Sequence, residues 1–470
     1  MSTDPRRVTG DHAPAHRGRA RLVAALLAVA IASLVGGASA HADTASLALA
    51  AASDTPASAS PALDLEQAFD RALATDQSIR SAVEAVAKAD LLPWSGLTRL
   101  APRITAQGRY DKPEHDITSN LGPTRVETRS ASITLEQPLL DLTAIPAYRQ
   151  GTLAADAARL RQRFAARNLL FAVAEAYFEV LKQARISAVT TQTLELAEAQ
   201  LRLAQRRFQV GEVTRTDELR ARVVVEREHQ RQIEAENALR LARHTLASIL
   251  NLPSGDELRL VEPPPLDAAL PALDEAESRA TAHREDLAAS RLEIEQQQER
   301  RLETLAQYAP RIAGTWTDQW LDPETFSTRN DFWEATVGIE IPLFEGGQRE
   351  LDVANVRHDI TTTRLAHESL AKSIDLDVRD AWLSVRTLTE TLDALRAQVA
   401  AAEENYRDLE SQYRAGEATS LDLQSALTDL GTSRTDLAAR TFDLEIALRN
   451  LERAEGSFQD ARVAGWGQPR

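Results

Sequence analysis

Hydrophobic and polar residues alternate strictly in four short stretches of this chain. The apolar positions have period 2, which predicts strands with one apolar and one polar face. Each stretch has about 9–11 residues, the length that crosses a bilayer as a tilted strand. A half-buried sheet in a soluble protein has the same period. The apolar positions of the four stretches are Ile104, Ala106, Gly108 and Tyr110; Ala131, Ile133 and Leu135; Ile312, Gly314, Trp316 and Trp320; and Trp333, Ala335, Val337, Ile339 and Ile341.

The aromatic residues favour the membrane alternative. Tyr110, Trp316, Trp320 and Trp333 cluster near the strand ends joined by polar loops, as interfacial aromatic residues do. Four strands are too few to close a barrel, since small barrels need about eight. We therefore expect several chains to share one barrel.

Two very long helices follow the strand pairs. One pattern runs from Pro146 to about Gln209, and the other from Gly347 to about Arg414. At 1.5 Å per residue they measure roughly 95 and 100 Å, and such lengths indicate coiled-coil packing. Each long helix turns, at Gly211 or Gly416, into a shorter helix, predicted over 216–250 and 420–455.

Short helices are predicted upstream of each strand pair. The first begins near Leu63, with Asp64 as N-cap and Gln67 in the capping-box position. The next, over about 78–99, should be kinked or interrupted by Pro93. Its counterpart covers about 284–308. We expect the upstream helices to stack end to end on the shorter hairpin helices, which alone cannot match the long ones.

The chain is an internal duplication. Ala101–Ile104 and Ala309–Ile312 are identical, and Phe208–Glu212 resembles Tyr413–Glu417. Such long-period similarity shows that one unit was repeated. The predicted organisation is a first repeat over 63–250, a linker over 251–270, a second repeat over 271–456 and a tail over 457–470.

The N-terminal residues 1–42 have the features of a cleaved signal peptide. Arg17, Arg19 and Arg21 precede the apolar run 22–35, and Ala38-Ser39-Ala40 or Ala40-His41-Ala42 fits a signal-peptidase site. A single N-terminal membrane anchor is the alternative. Residues 43–62 are rich in Ala, Ser and Pro and are interpreted as a flexible linker.

Composition excludes several functions. The chain has no cysteine, which excludes disulfides and thiolate metal sites, and its nine histidines are scattered, which argues against a zinc hydrolase. The net charge of −16 argues against nucleic-acid binding and suits passage of cations or a basic partner. We expect no enzyme activity, cofactor or metal.

Three motifs occur in the same order in both copies of the repeat. They are the tip F/Y-x-x-G-x-x-T-x-x-D-x-x-x-A, the Pro-Leu strand exits, and the pairs Ala176-Tyr177 and Ala381-Trp382. With them, residues 62–456 closely resemble the TolC family of outer membrane efflux proteins. The exit residues are Pro138, Leu139, Pro342, Leu343, Gly346 and Gly347.

The resemblance implies a fold and partners. The fold would be mainly α with a β-barrel segment, in which a homotrimer forms a twelve-stranded barrel in outer membrane lipid and a long helical barrel in the periplasm. The partners would be a periplasmic adaptor (membrane fusion) protein and an inner-membrane pump of RND, ABC or MFS type. The function would be a passive exit duct for small molecules, drugs or metal ions. Protein export in type I secretion is the alternative, and a secreted coiled-coil scaffold without a pore is a remote one.

The resemblance also assigns roles to the helix tips. Tyr413, Thr216 and Asp217 match a latch that closes the pore, and Asp422 matches a selectivity ring. Two positions depart from the family: the latch arginine is Ala418, for which Arg215 or Arg414 are candidate substitutes, and the second ring aspartate is Ser425. Alternatively, Tyr413 only packs between helices and the aspartates only cap them. The adaptor would dock on Gly211, Glu212, Thr214, Gly416, Glu417 and Thr419.

Overall fold

Residues upstream of the first strand form three short helices. In the computed structural model these are α1 (Leu65–Thr75), α2 (Gln77–Ala89) and α3 (Leu92–Leu97), followed by a 3-10 turn at Thr98–Leu100. The predicted capping box is present, since the Asp64 N–H donates to Gln67 Oε1 at 3.4 Å. Pro93 lies in the first turn of α3, so the predicted interruption is confirmed and falls between α2 and α3.

The structure describes part of the chain. The described residues are 63–112, 117–119, 122–124, 127–256, 258–266, 269–322 and 331–465. The predicted signal peptide and the linker over 43–62 lie outside them, as do the last five residues of the predicted tail.

Four long strands form one antiparallel sheet. They are β1 (Arg103–Asp111), β4 (Thr128–Leu140), β5 (Arg311–Asp322) and β6 (Asp331–Glu340), in the order β1-β4-β5-β6. Each predicted alternating stretch is one of these strands. The outer edges of β1 and β6 pair with no other strand among the described residues. A separate ladder of β2 (Ile117–Ser119) and β3 (Gly122–Thr124) was not predicted, since three residues are too few to show alternation.

The helices after the sheet agree closely with the predicted bounds. The long helices have 66 and 68 residues, and the shorter helices that follow the tips have 35 and 36. In chain order the helices are α4 (Ala144–Gln209), α5 (Arg215–Ile249), α6 (Leu273–His283), α7 (Glu285–Ala306), α8 (Gln348–Ala415), α9 (Ser420–Glu455) and α10 (Asp460–Gly465).

The upstream helices stack on the ends of the shorter hairpin helices, as predicted. In the first copy Arg71 Nε donates to the carbonyl of Leu250, just after α5, at 3.1 Å. In the second copy Arg279 of α6 pairs with Glu455, the last residue of α9, at 3.1 Å. Arg71 therefore caps the C-terminus of α5, and Arg279 places its positive charge beside the C-terminus of α9, where such a charge is favourable.

The Tyr and Trp of the repeated pairs hold equivalent positions in the two copies. The Tyr177 hydroxyl donates to the carbonyl of Leu63 at 2.9 Å, two residues before α1. The Trp382 indole donates to the carbonyl of Pro271 at 2.8 Å, two residues before α6. Both side chains attach the chain entering an upstream helix to the middle of a long helix. This contact gives the repeated Ala-Tyr/Trp motif a structural role.

The start of α4 packs closely on α3. A Cβ added to Gly151 would lie 2.4 Å from the backbone nitrogen of Pro93, and one added to Gly96 would lie 2.6 Å from that of Tyr148. Two backbones thus meet just after β4 ends.

Within the described ranges, no helix is both long and apolar enough to span a bilayer.

Candidate functional site

The two helix tips have the same backbone turn. Gly211 and Gly416 have φ values of +79° and +85°, which glycine adopts without steric cost. The Glu212 N–H donates to the carbonyl of Arg207 at 2.9 Å, and the Glu417 N–H donates to that of Gln412 at 2.8 Å. The repeated glycine therefore ends each long helix and reverses the chain.

The threonine and aspartate of each tip form a capping box. Thr214 Oγ1 donates to Asp217 Oδ2 at 2.7 Å, and the Asp217 N–H donates back to Thr214 Oγ1 at 3.3 Å. Thr419 and Asp422 repeat both bonds, at 2.6 and 3.3 Å. The Thr419 hydroxyl and N–H hold the pKa of the exposed Asp422 below its ordinary value. Both aspartates thus cap helices, whatever further role they have.

One hydrogen bond joins the two tips through Asp217. The Ser420 hydroxyl, at the start of α9, donates to Asp217 Oδ1 at 2.6 Å. The bond from Ser420 is the largest cause of the lowered pKa of Asp217, and the bond from Thr214 comes next. Asp217 uses one carboxylate oxygen for its own cap and the other for the opposite tip.

A second contact joins the tips through Arg207 and Tyr413. The guanidinium carbon of Arg207 lies 5.0 Å from the centre of the Tyr413 ring, and its Nη1 donates to the Tyr413 carbonyl. Arg207 Nε also donates to Glu212 of its own tip at 2.9 Å. The Tyr413 side chain is buried, and burial raises the pKa of its hydroxyl.

The structure brings together some of the predicted latch residues. Tyr413 packs in a buried cluster with Tyr406 and Leu423 between the tips, and Asp217 lies at the same junction. Thr216 is exposed and lines a groove of about 530 Å³ with Leu421. The gate roles of these residues stay predictions.

The two candidate substitutes for the missing latch arginine have partners on their own hairpins. Arg215 pairs with Glu218 at 2.6 Å, and Arg414 pairs with Glu410 at 2.6 Å. The arginine that crosses between the tips is Arg207, which was not predicted from the sequence. One signal in the sequence points to Arg207: it aligns with Gln412, so the two copies of the repeat differ in charge at this position.

The strand exits differ between the copies. Pro138 and Leu139 lie near the end of β4, where the pairing with β5 shifts register. Pro342 and Leu343 follow β6, and the Leu343 side chain is 90% exposed. Gly346 and Gly347 have φ values of +66° and +87° and lead into α8. The glycines therefore make a turn that other residues adopt with strain.

Sequence comparison assigns the family. Residues 68–252 and 277–457 match the family described as outer membrane efflux protein, and the two matches together cover more than half of the chain. The chain therefore belongs to the outer membrane efflux protein family. Membership confirms the predicted class, an outer membrane export channel.

Individual relatives include both secretion and outer membrane proteins. The chain is 27% identical over 411 residues to the alkaline protease secretion protein AprF of Pseudomonas aeruginosa, covering 78% of each chain. It is 24% identical over 312 residues to the outer membrane protein TolC of Escherichia coli, covering 64% of this chain and 63% of the relative. The solved CmeC outer membrane channel of Campylobacter jejuni superposes with a TM-score of 0.75 at 15% identity, over 85% of this chain and 88% of that one. The superposition confirms the TolC-like fold.

Proposed function

We propose that this chain is the passive, gated exit duct of a tripartite export system. The observation that carries the proposal is that two unlike tips are joined by side-chain contacts at the far end of α4 and α8. Since α4 has 66 residues, its tip lies about 99 Å along the helix from the sheet. The sheet would sit in outer membrane lipid and the tips deep in the periplasm. No catalysis or nucleic-acid binding is part of the proposed function.

Three copies would close the channel. Within the described residues β1 and β6 each leave one edge unpaired, and unpaired edges are stable in lipid only when a neighbour covers them. A β1-to-β6 contact between neighbours would make a barrel of twelve strands. Trimers on semi-native gels that dissociate only on heating support this assembly, whereas monomers in native membranes contradict it.

The tips would act as gate and ion filter. Thr216, Asp217 and Tyr413 lie on the two tips that must separate for the pore to open. Three copies of Asp422 around the pore would attract cations, and Ser425 in place of a second aspartate would weaken that selectivity. Recording Asp422→Ala in planar bilayers tests the filter: a reversal potential shifted toward zero supports it, and an unchanged one excludes it.

The adaptor would dock on the tips. Gly211, Glu212 and Thr214 and their counterparts Gly416, Glu417 and Thr419 form the turns that face away from the sheet. Because the chain lacks cysteine, Glu212→Cys and Glu417→Cys allow selective crosslinking in cells. Capture of a membrane fusion protein, with its RND, ABC or MFS pump, supports docking, and Cys at the mid-helix position Arg396 is the matched control.

The cargo has two candidates. The family description of efflux favours small molecules, drugs or metal ions. The similarity to AprF and to the proteases secretion protein PrtF of Dickeya chrysanthemi favours protein export. Deleting the gene distinguishes them: retained dyes and antibiotics indicate efflux, and loss of a protein from the medium indicates secretion.

A further inference from the structure

We propose that Arg207 of the first tip is the residue that holds the second tip closed. In the family latch the arginine lies on the second tip, at the position occupied here by Ala418. In this chain the arginine would act in the opposite direction, from α4 to the end of α8. The inference rests on the proposed gate and names the residue that controls it.

Arg207 is built into the junction. Its side chain is only 15% exposed although it lies in the last turn of α4. Its guanidinium meets three groups: the carbonyl of Tyr413, the ring of Tyr413 and the carboxylate of Glu212. A guanidinium fork matches such divergent acceptors, which a lysine cannot bind together.

The contact lies where the second helix ends. Tyr413 is in the last turn of α8, where the carbonyls carry partial negative charge, and its own carbonyl also accepts the Gly416 N–H at 3.1 Å. The open space beside Gly416 admits the guanidinium, since a Cβ there would lie 3.6 Å from Arg207 Nη2. Separating the hairpins would remove the carbonyl and the ring from Arg207 in one step, leaving its charge with Glu212 alone.

The arginine contact runs only from the first tip to the second, because the two copies of the repeat differ at this position. The counterpart of Arg207 is Gln412, so the second tip has no arginine that reaches back from that position. The counterpart of Ser420 is Arg215, which pairs with Glu218 of its own helix. Two side chains therefore link the tips: Arg207 bonds Tyr413, and Ser420 bonds Asp217. In the other copy of the repeat, a different residue type stands at each of these two linking positions.

Conductance of the full-length channel in planar bilayers tests the assignment. The variants are Arg207→Ala and Arg207→Lys, and the control is Arg206→Ala, which removes the same charge from an exposed neighbour. We expect Arg207→Ala to raise the open fraction about tenfold, which corresponds to about 1.4 kcal/mol. Arg207→Lys should fall between wild type and Arg207→Ala, and Arg206→Ala should match wild type.

The outcomes separate the inference from the proposed function. If trimers insert but neither the wild type nor any variant conducts, the exit-duct proposal fails. If the trimers conduct and the open fraction of Arg207→Ala equals that of Arg206→Ala, only the role of Arg207 is overturned. Should Arg207→Ala form no trimers, Arg207→Lys decides by the same comparison: an open fraction above wild type supports the role, and an unchanged one overturns it.

Discussion

Gly151 packs so closely against α3 that replacing it with alanine should lower the free energy of unfolding. In Gly151→Ala the new Cβ would lie 2.4 Å from Pro93 N, 2.5 Å from Leu92 C and 2.7 Å from Pro93 Cα. All three atoms are backbone, so a helix must move by about 1 Å to restore a normal contact. Overpacking of this kind costs about 3 kcal/mol, and replacing a helical glycine returns about 1 kcal/mol. We expect the free energy of unfolding to fall by about 2 kcal/mol in total.

Gly431→Ala is the matched control. Gly431 also lies in a helix that faces another helix, but the nearest atom to its new Cβ is a side-chain methyl of Thr193 at 3.1 Å. Thr193 must shift by only a few tenths of an ångström, so the steric cost and the gain in helix propensity should nearly cancel. The assay is the temperature at which trimers dissociate on semi-native gels. Equal dissociation temperatures for the two variants, or a Gly151→Ala protein as stable as wild type, would show that the close approach of α3 and α4 is not a constraint.

Three further predictions concern polar contacts. Tyr177→Phe should cost about 1–2 kcal/mol, because the buried hydroxyl that contacts the carbonyls of Leu63 and Val261 is lost; an unchanged thermal unfolding curve would contradict this. Arg167→Ala should cost about 3–5 kcal/mol, because it leaves the buried Glu285 without its partner; adding Glu285→Gln should restore part of the loss, and no restoration would argue against an electrostatic cause. The pKa of Asp217 is lowered from 3.8, so its bond to Ser420 contributes fully above about pH 3.8 and is lost as pH falls through the lowered pKa. Conductance should therefore rise on acidification below pH 4, and Ser420→Ala should weaken this rise; the same pH response in both proteins would exclude the bond.

The sequence predicted the parts of the fold that depend on local pattern. The helices α4 and α8 repeat an apolar face over many turns, so their bounds agreed with the structure within a few residues. The strands β1, β4, β5 and β6 showed period-2 alternation long enough to recognise. The tips were found because Gly211 and Gly416 stand at matching places in two copies.

The contacts between distant residues could not be predicted in the same way. Arg207 and Tyr413 are 206 positions apart, and no periodicity indicates which arginine of a tip turns toward the other hairpin. Several arginines near the tips carry the same charge, and in the structure Arg215 and Arg414 each pair with a glutamate of their own hairpin. Tertiary packing, rather than residue type, selects the arginine that crosses.

A disulfide across the tips would hold the pore closed if the tips gate it. In the cysteine-free chain, Asp217→Cys with Ser420→Cys replaces two side chains whose oxygens lie 2.6 Å apart across the tips. Single-channel recording of this trimer before and after reduction asks whether the tips control the pore. We expect a small conductance when the pair is oxidised and a severalfold larger one after reduction. A large conductance that is the same in both states, with the disulfide verified, would contradict gating by the tips.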